Sequence, residues 1–221
     1  MSRFGLLVAM FTLIAAASQT RSAPAQNLNE VLRGFDGVFT EDERSAVTHA
    51  IVTEEGSIFV RRSGGLLYVT VESEPIGVAS LCLGGFSEVS VLHASAALGY
   101  LRFRSTDDGW TTDDDFVWEM RETSMSTDAI DARAQYFASH GWVATTAMMG
   151  DPTATEFLVS EDLVQHDGVR IAAGLMPIER PEVTLALPAT ASECADDRLV
   201  RGPKPDAPIR FDPTAWLHMI D

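Results

Sequence analysis

The sequence is poor in basic residues and carries a large excess of acidic ones. Lys and Arg number 16 against 32 Asp and Glu in 221 residues, which gives a formal net charge of −16 at pH 7. A field of this sign repels nucleic acid and anionic lipid headgroups. We therefore expect no nucleic-acid partner. The charge itself is typical of a solvated acidic surface, and cation binding or a cationic partner is the alternative.

The sequence also lacks the short motifs that accompany common enzyme mechanisms. It contains no G-x-S-x-G elbow, no phosphate-binding glycine loop, no H-E-x-x-H helix and no Cys/His pair. His93 and Ser95 lie two residues apart and would share one face of a strand. No third residue that would orient His93 as a catalytic base can be identified in the sequence. The sequence thus favours a non-enzymatic protein without establishing one.

Long hydrophobic runs are missing apart from one near the N-terminus. Residues 5–17 are apolar and follow Arg3, but about thirteen residues are too few for a helix that must span a bilayer with roughly twenty. Small-residue A-x-A sites end at Ala17 and Ala25. This pattern predicts a signal peptide over residues 1–25, with cleavage after Ala25 preferred to Ala17. We expect a periplasmic or secreted protein with no membrane insertion.

Cysteine is scarce, with two residues, Cys82 and Cys194. An oxidising compartment favours a disulfide over two free thiols. The bond would close a loop of about 110 residues, for which chain entropy gives a stabilisation of up to about 4.7 kcal/mol. A reactive thiol or a metal ligand is the alternative, and no C-x-x-C supports it. The pair therefore predicts a structural disulfide.

Short runs of β-branched and aromatic residues, separated by turn residues, follow one another from His49 onward. They cover residues 58–60, 66–71, 78–83, 89–93, 98–104, 116–120, 142–147, 156–159, 169–176 and 183–187. The pattern predicts an all-β protein, a jelly-roll-type antiparallel β-sandwich. We expect a single domain over residues 26–221, in which residues 189–221 form a tail that wraps the body.

One internal segment has the features of a helix. Ser126 or Thr127 can cap its start, and Gly141 suits its C′ position. Ile130, Ala134, Phe137 and Ala138 recur at helical spacing, so they should form an apolar face that lies on a sheet. The sandwich is therefore predicted to contain one inserted α-helix.

Two segments resemble a known superfamily. Residues 35–41 read FDGVFTE, and residues 67–71 read LYVTV. Together they resemble the opening of the family 9 carbohydrate-binding modules and their DOMON-like relatives. The resemblance covers the first half of the mature chain, and it implies a ligand-binding sandwich with glycan or haem as the ligand.

Aromatic and acidic residues are the candidates for a glycan site. Trp110 follows an Asp-Gly turn, and we expect it to be exposed, where a sugar ring can stack on its indole. Trp118 is a second candidate, although its apolar surroundings also suit a core residue. Asp113 and Asp115 lie on an acidic hairpin tip and could bind hydroxyl groups or Ca²⁺. The favoured function is thus an exported, non-catalytic carbohydrate-binding module that needs no cofactor, with calcium as a weaker possibility.

Two alternatives to glycan binding remain open. A haem-binding redox protein of the DOMON type would use His93 as an axial ligand, with Met148, Met149 or Met176 as its partner. Covalent haem attachment is excluded because C-x-x-C-H is absent. A protein-interaction domain of the envelope or extracellular space would need no ligand site. The sequence leaves the oligomeric state open.

Overall fold

A computed structural model describes residues 28–73, 76–85, 87–112, 119–120, 127–146, 153–164, 168–201 and 208–219. Within these residues, two antiparallel sheets pack face to face and one long helix is inserted between strands. The predicted β-sandwich with an inserted α-helix is therefore confirmed. The predicted signal peptide, residues 1–25, lies outside the described residues. Within the described part, no helix has the length and apolar character needed to span a bilayer.

The smaller sheet has five strands. The strands are numbered in chain order. Across the sheet they follow the order β1 (His49–Val52), β2 (Gly56–Ser63), β3 (Leu66–Ser73), β10 (Thr153–Ser160) and β9 (Trp142–Thr146).

The larger sheet has eight strands. Its main path is β12 (Leu185–Leu187), β11 (Val169–Pro177), β4 (Ile76–Gly84), β5 (Glu88–Ala94), β6 (Ala97–Thr106) and β7 (Gly109–Thr111). In addition, β13 (Leu217–Met219) pairs with β11, and β8 (Glu119–Met120) pairs with β6. The long connection that ends in β11 places this strand beside β4, which is the Greek-key arrangement found in most β-sandwiches.

Four α-helices accompany the sheets in the described ranges: α1 (Leu28–Arg33), α2 (Glu41–Ser45), α3 (Thr127–His140) and α4 (Asp197–Val200). The predicted helix is α3, and Gly141 ends it with a positive φ of 72° while its N–H bonds the carbonyl of Phe137 at 2.7 Å. Its apolar face differs from the prediction, because Ala138 is exposed and Arg133 is buried. The three short helices were not predicted, although Thr40 and Glu43 form a capping box at the start of α2.

Alternating side chains from both sheets build the main core. Val69 and Val71 on β3 face Leu81 on β4, and Phe157 on β10 lies among them, all fully buried. Each such side chain contributes on the order of 2 kcal/mol through burial. The core between the sheets explains why the strands read as apolar runs in the sequence.

A second apolar cluster covers the outer face of the eight-stranded sheet. Residues 188–201 and 208–216, which we call the C-terminal cover, lie across this face. Trp216, Phe211 and Ile209 from the cover pack on Val91 and Phe103 of the sheet. This strand face is thus buried as thoroughly as the one that lines the main core.

The disulfide joins the C-terminal cover to the sheet beneath it. Cys82 on β4 and Cys194 in the cover are both fully buried and bonded, with 6.3 Å between their Cα atoms. The predicted disulfide is therefore confirmed. Two glycines let the cover approach closely: a Cβ on Gly84 would meet the ring of Trp216, and a Cβ on Gly174 would occupy the position of the Cys194 carbonyl oxygen.

We expect the double variant C82A/C194A to lose roughly 2–5 kcal/mol of unfolding free energy, because its unfolded chain is no longer constrained by a loop of this length. Chemical denaturation without reductant measures the difference. Adding reductant should move the denaturation midpoint of the wild type toward that of the variant. Equal midpoints for the wild type and the variant without reductant would contradict a structural role for the bond.

We expect Gly174→Ala to destabilise the fold by about 1–3 kcal/mol, because the added methyl group collides with the backbone at Cys194. Thermal unfolding measures this loss. Gly34→Ala is the matched control, since its new Cβ would meet only the Val31 carbonyl at an ordinary 3.8 Å. Equal stability of both variants would show that the cover does not lie tightly on β11.

Candidate functional site

The structure places Trp110 inside the protein. Its side chain is 8% exposed, and its indole Nε1 donates a hydrogen bond to the Phe211 carbonyl at 3.0 Å. The Asp-Gly turn forms the predicted hairpin, but the backbone of Trp110 pairs with Ile209 of the C-terminal cover. The expectation that Trp110 is exposed was therefore wrong, because a segment a hundred residues away covers it.

Several sequence-predicted residues lie outside the described residues. They are Trp118, Asp113, Asp115, Met148 and Met149, and their roles stay predictions. The neighbouring Asp107 and Asp108 are exposed on the β6–β7 turn. In the part of the chain that the structure describes, no group of three or more His, Cys, Asp or Glu side chains is arranged to hold a metal ion.

His93 on β5 is buried and is 1% exposed. It pairs across the strands with Ser80, whose Oγ lies 3.0 Å from His93 Nδ1. Ser95 instead donates its hydroxyl to the Ala97 carbonyl. The structure thus joins His93 to Ser80 rather than to Ser95. Met176, a candidate partner for haem, accepts a hydrogen bond from Arg201 through its sulfur at 3.4 Å.

An open groove of about 510 Å³ lies at the C-terminal end of α3. We call it the α3 groove. Its walls come from β6, from the last turn of α3, and from the 3₁₀ turn Glu161–Leu163. The side chains that give it chemical character are Tyr100, Arg102, Phe137, His140 and Asp162.

The shape of the α3 groove follows from local chain geometry. Gly141 ends α3 in the left-handed conformation, and a Cβ there would press on the Leu163 side chain at 3.0 Å. The Ser160 N–H donates to the Gly141 carbonyl at 2.7 Å, and the Ser160 hydroxyl caps the following 3₁₀ turn. These contacts fix two walls of the groove relative to each other.

Aromatic and polar groups lie side by side in the α3 groove. Arg102 Nε donates to the Tyr100 hydroxyl at 2.9 Å, and both side chains are half-buried. The His140 ring stacks on Tyr136 with 4.2 Å between ring centroids. Asp162 is exposed at the opposite wall. The groove therefore offers an aromatic surface, a guanidinium and a carboxylate to a ligand from solvent.

Trp142 lies directly behind the α3 groove. It follows the groove residue Gly141, is fully buried, and meets the Tyr136 ring edge-on at 5.6 Å. Its indole Nε1 has no hydrogen-bond acceptor among the described residues. A buried donor of this kind is unusual in folded proteins.

A second unusual group, Glu156, lies on the other side of the sandwich. It occupies the middle of β10, is 6% exposed, and its Oε2 accepts a hydrogen bond from the Gly37 N–H at 2.6 Å. Burial away from water raises the pKa of Glu156 from 4.5 to about 8. Backbone hydrogen bonds from Gly37 and Asp36 oppose this change, and the negative charges of Glu43 and Asp36 reinforce it.

The two segments that resemble carbohydrate-binding modules meet at Glu156. Gly37 belongs to the first segment, while Tyr68 and Thr70 belong to the second and line a closed cavity of about 20 Å³ beside the Glu156 side chain. A cavity of this size has room for a water molecule. The resemblance therefore concerns residues that are neighbours in space.

The sequence analysis missed both Tyr100 and Glu156 as site residues. The alternation that predicted β6 placed Tyr100 on its polar face, which was a signal for a solvent-facing side chain. Glu156 stands at the start of an apolar run in β10, and an acidic residue in a central strand was the available signal.

The open α3 groove and the small cavity at Glu156 thus both have chemical character, and a further open groove of about 480 Å³ lies beside Glu54, Glu72 and Arg180. The first admits a ligand from solvent, and the second admits a water molecule at most. Comparison of the chain with protein-family models, with curated proteins and with solved structures found no match.

Proposed function

We propose that the protein is an exported, non-catalytic domain that binds carbohydrate in the α3 groove. The observation that carries this proposal is the convergence of aromatic and polar side chains in one open groove. Its volume of about 510 Å³ falls within the range of small-molecule sites, which is roughly 300–1,000 Å³.

The chemistry of the α3 groove suits a sugar. A pyranose ring has an apolar C–H face that stacks on an aromatic ring, while its hydroxyl groups both donate and accept hydrogen bonds. Tyr100 and Phe137 supply rings, Arg102 supplies donors, and Asp162 supplies acceptors. Tyr100 thus takes the stacking role that the sequence assigned to Trp110.

The disulfide supports an exported location. Structural disulfides persist in oxidising compartments and are rare in the cytosol. The bond between Cys82 and Cys194 ties the C-terminal cover to the fold, and the N-terminal segment has the pattern of a signal peptide. We therefore place the protein in the periplasm or outside the cell.

In glycan arrays followed by titration calorimetry, we expect the wild type to bind at least one polysaccharide class. Tyr100→Ala should weaken that binding about tenfold or more, a loss of ~1.4 kcal/mol, because a stacking surface is removed. Tyr68→Ala is the matched control: Tyr68 is also a half-buried tyrosine beside an arginine, but it lies outside the groove. Its affinity should equal that of the wild type.

Other results from experiments on the same purified protein would overturn the proposal. No binding to any polysaccharide, with a basic partner retained from extract and released by salt, would favour the protein-interaction alternative. A Soret band after expression with haem available, together with no glycan binding, would favour the haem protein. Equal loss of affinity in Tyr68→Ala and Tyr100→Ala would place the ligand elsewhere.

We also expect tryptophan fluorescence to report ligand binding through Trp142. A ligand in the α3 groove should change the intensity or the emission maximum, because the indole lies behind the groove wall. Trp142→Phe should abolish the response, whereas Trp110→Phe should retain it, since Trp110 lies under the C-terminal cover. The reverse pattern in the two variants would contradict the location of the site.

A further inference from the structure

A short segment near the N-terminus closes over the outer face of the five-stranded sheet. We call residues 35–47 the N-terminal clasp. Arg44 attaches it through an ion pair with Glu72 at 2.6 Å and through a contact with the Phe59 ring at 4.8 Å. The Gly37 N–H attaches it to Glu156, and the ring of Phe39 packs on Phe59 with 5.0 Å between centroids. Phe35, at the start of the clasp, is buried in the main core.

Two carboxyl groups of the N-terminal clasp act on Glu156 through their charge. Asp36 and Glu43 both repel a negative charge on Glu156, and Glu43 also lines the small cavity beside it. Asp36 is exposed and Glu43 is half-buried, so the burial of Glu156 itself contributes most to the cost of its ionisation.

The neighbouring cations are directed to other partners. Arg44 faces Glu72, and the Arg61 guanidinium lies 4.0 Å from the centroid of the Tyr68 ring. On the adjacent strand β9, the residue opposite Glu156 is the uncharged Thr145. Arg61 also lines the cavity beside Glu156, but its guanidinium lies over the Tyr68 ring.

We propose that Glu156 is a proton-operated latch for the N-terminal clasp: its protonated form keeps the clasp closed on the sheet, and its ionised form releases the clasp. The latch is independent of the carbohydrate proposal, because the α3 groove and Glu156 share no residue. Opening lets water reach Glu156 and separates it from Asp36 and Glu43. An ionised carboxylate gains from both changes, and a neutral carboxyl group gains little.

The direction of the pH dependence follows from proton linkage. The pKa of Glu156 is about 8 with the clasp closed and returns toward 4.5 when water surrounds the group. The closed form is therefore fully favoured below pH 4.5 and loses its advantage as pH rises toward 8. Within this window, each pH unit should shift the equilibrium toward the open form by up to roughly tenfold.

Hydrogen exchange on the whole protein tests the latch between about pH 5 and about pH 9, with rates corrected for intrinsic exchange. We expect protection of residues 35–47 to fall severalfold per pH unit up to about pH 8 and then to level off. Protection of β4, in the main core, should stay constant. A clasp protection that does not change with pH would overturn the proposal.

Two substitutions separate the latch from a merely structural contact. Glu156→Gln keeps an acceptor for the Gly37 N–H but cannot ionise, so protection of the clasp should become independent of pH. Glu72→Gln is the matched control, because it changes another buried glutamate that contacts the clasp. It should lower the protection of the clasp by a similar factor at every pH and leave the dependence of that protection on pH unchanged. An unchanged slope in Glu156→Gln would overturn the proposal.

A direct titration of the wild type tests the latch without relying on a variant that must fold. Carbon-13 NMR of the glutamate side chains in the wild type should show one carboxyl group that titrates far above 4.5, with the Gly37 amide shifting at the same midpoint. Titration of Glu156 at an ordinary value, or an amide of Gly37 that does not follow it, would overturn the proposal.

Discussion

Contact between the C-terminal cover and the outer face of the eight-stranded sheet is the constraint on which the rest of the structure depends. The strands of this sheet carry apolar side chains on both faces, so a two-layer sandwich alone would leave one apolar face in water. Cys194, Phe211 and Trp216 close that face, and the bond to Cys82 prevents the cover from leaving. The protein is therefore built from more layers than its two sheets.

Burial on both faces also explains the composition of β4. Its residues from Val78 to Gly84 are buried, so the strand reads as a continuous apolar run rather than as an alternation. Such runs are expected where a strand is covered on both sides. Gly84 and Gly174 serve the same packing, because the Trp216 ring and the Cys194 backbone approach the sheet at positions that have no side chain.

The two faces of the sandwich differ in chemistry. The C-terminal cover meets its sheet through rings and a disulfide, and the contact is dry. The N-terminal clasp meets the other sheet through the rings of Phe39 and Phe59 and through Glu156, Glu72 and Arg44, and a small cavity lies beside the contact. An apolar contact responds little to pH, whereas a contact made by carboxyl groups responds strongly. The proposed latch therefore concerns the N-terminal clasp and not the C-terminal cover.

Features that depend on neighbouring residues could be predicted from the sequence. The strand runs, the turn before Trp110, the helix α3 and its end at Gly141 all follow from periodicity and turn chemistry. The disulfide could be predicted because the chain has two cysteines and the pattern of an exported protein.

Features that depend on distant residues could not be predicted. The turn at Gly109 gave Trp110 the pattern of an exposed residue, but pairing with Ile209 decides its burial. Glu156 gains its unusual proton affinity from burial, and Gly37, whose N–H bonds its carboxyl group, is over a hundred residues away in the chain. The local sequence around a residue contains no information on such long-range pairings. The α3 groove is similar, because it needs Tyr100 of one sheet and the end of α3 together.

The separation of Cys82 and Cys194 has a consequence for biogenesis. Cys194 is made 112 residues after Cys82, and the cover follows only with the last part of the chain. Until then, the apolar outer face of β4 and β5 has nothing to pack against, and a newly made chain exposes an aggregation-prone apolar surface. A chain truncated before Cys194 would keep that surface permanently, so premature termination is more harmful to this protein than the loss of a loop would suggest.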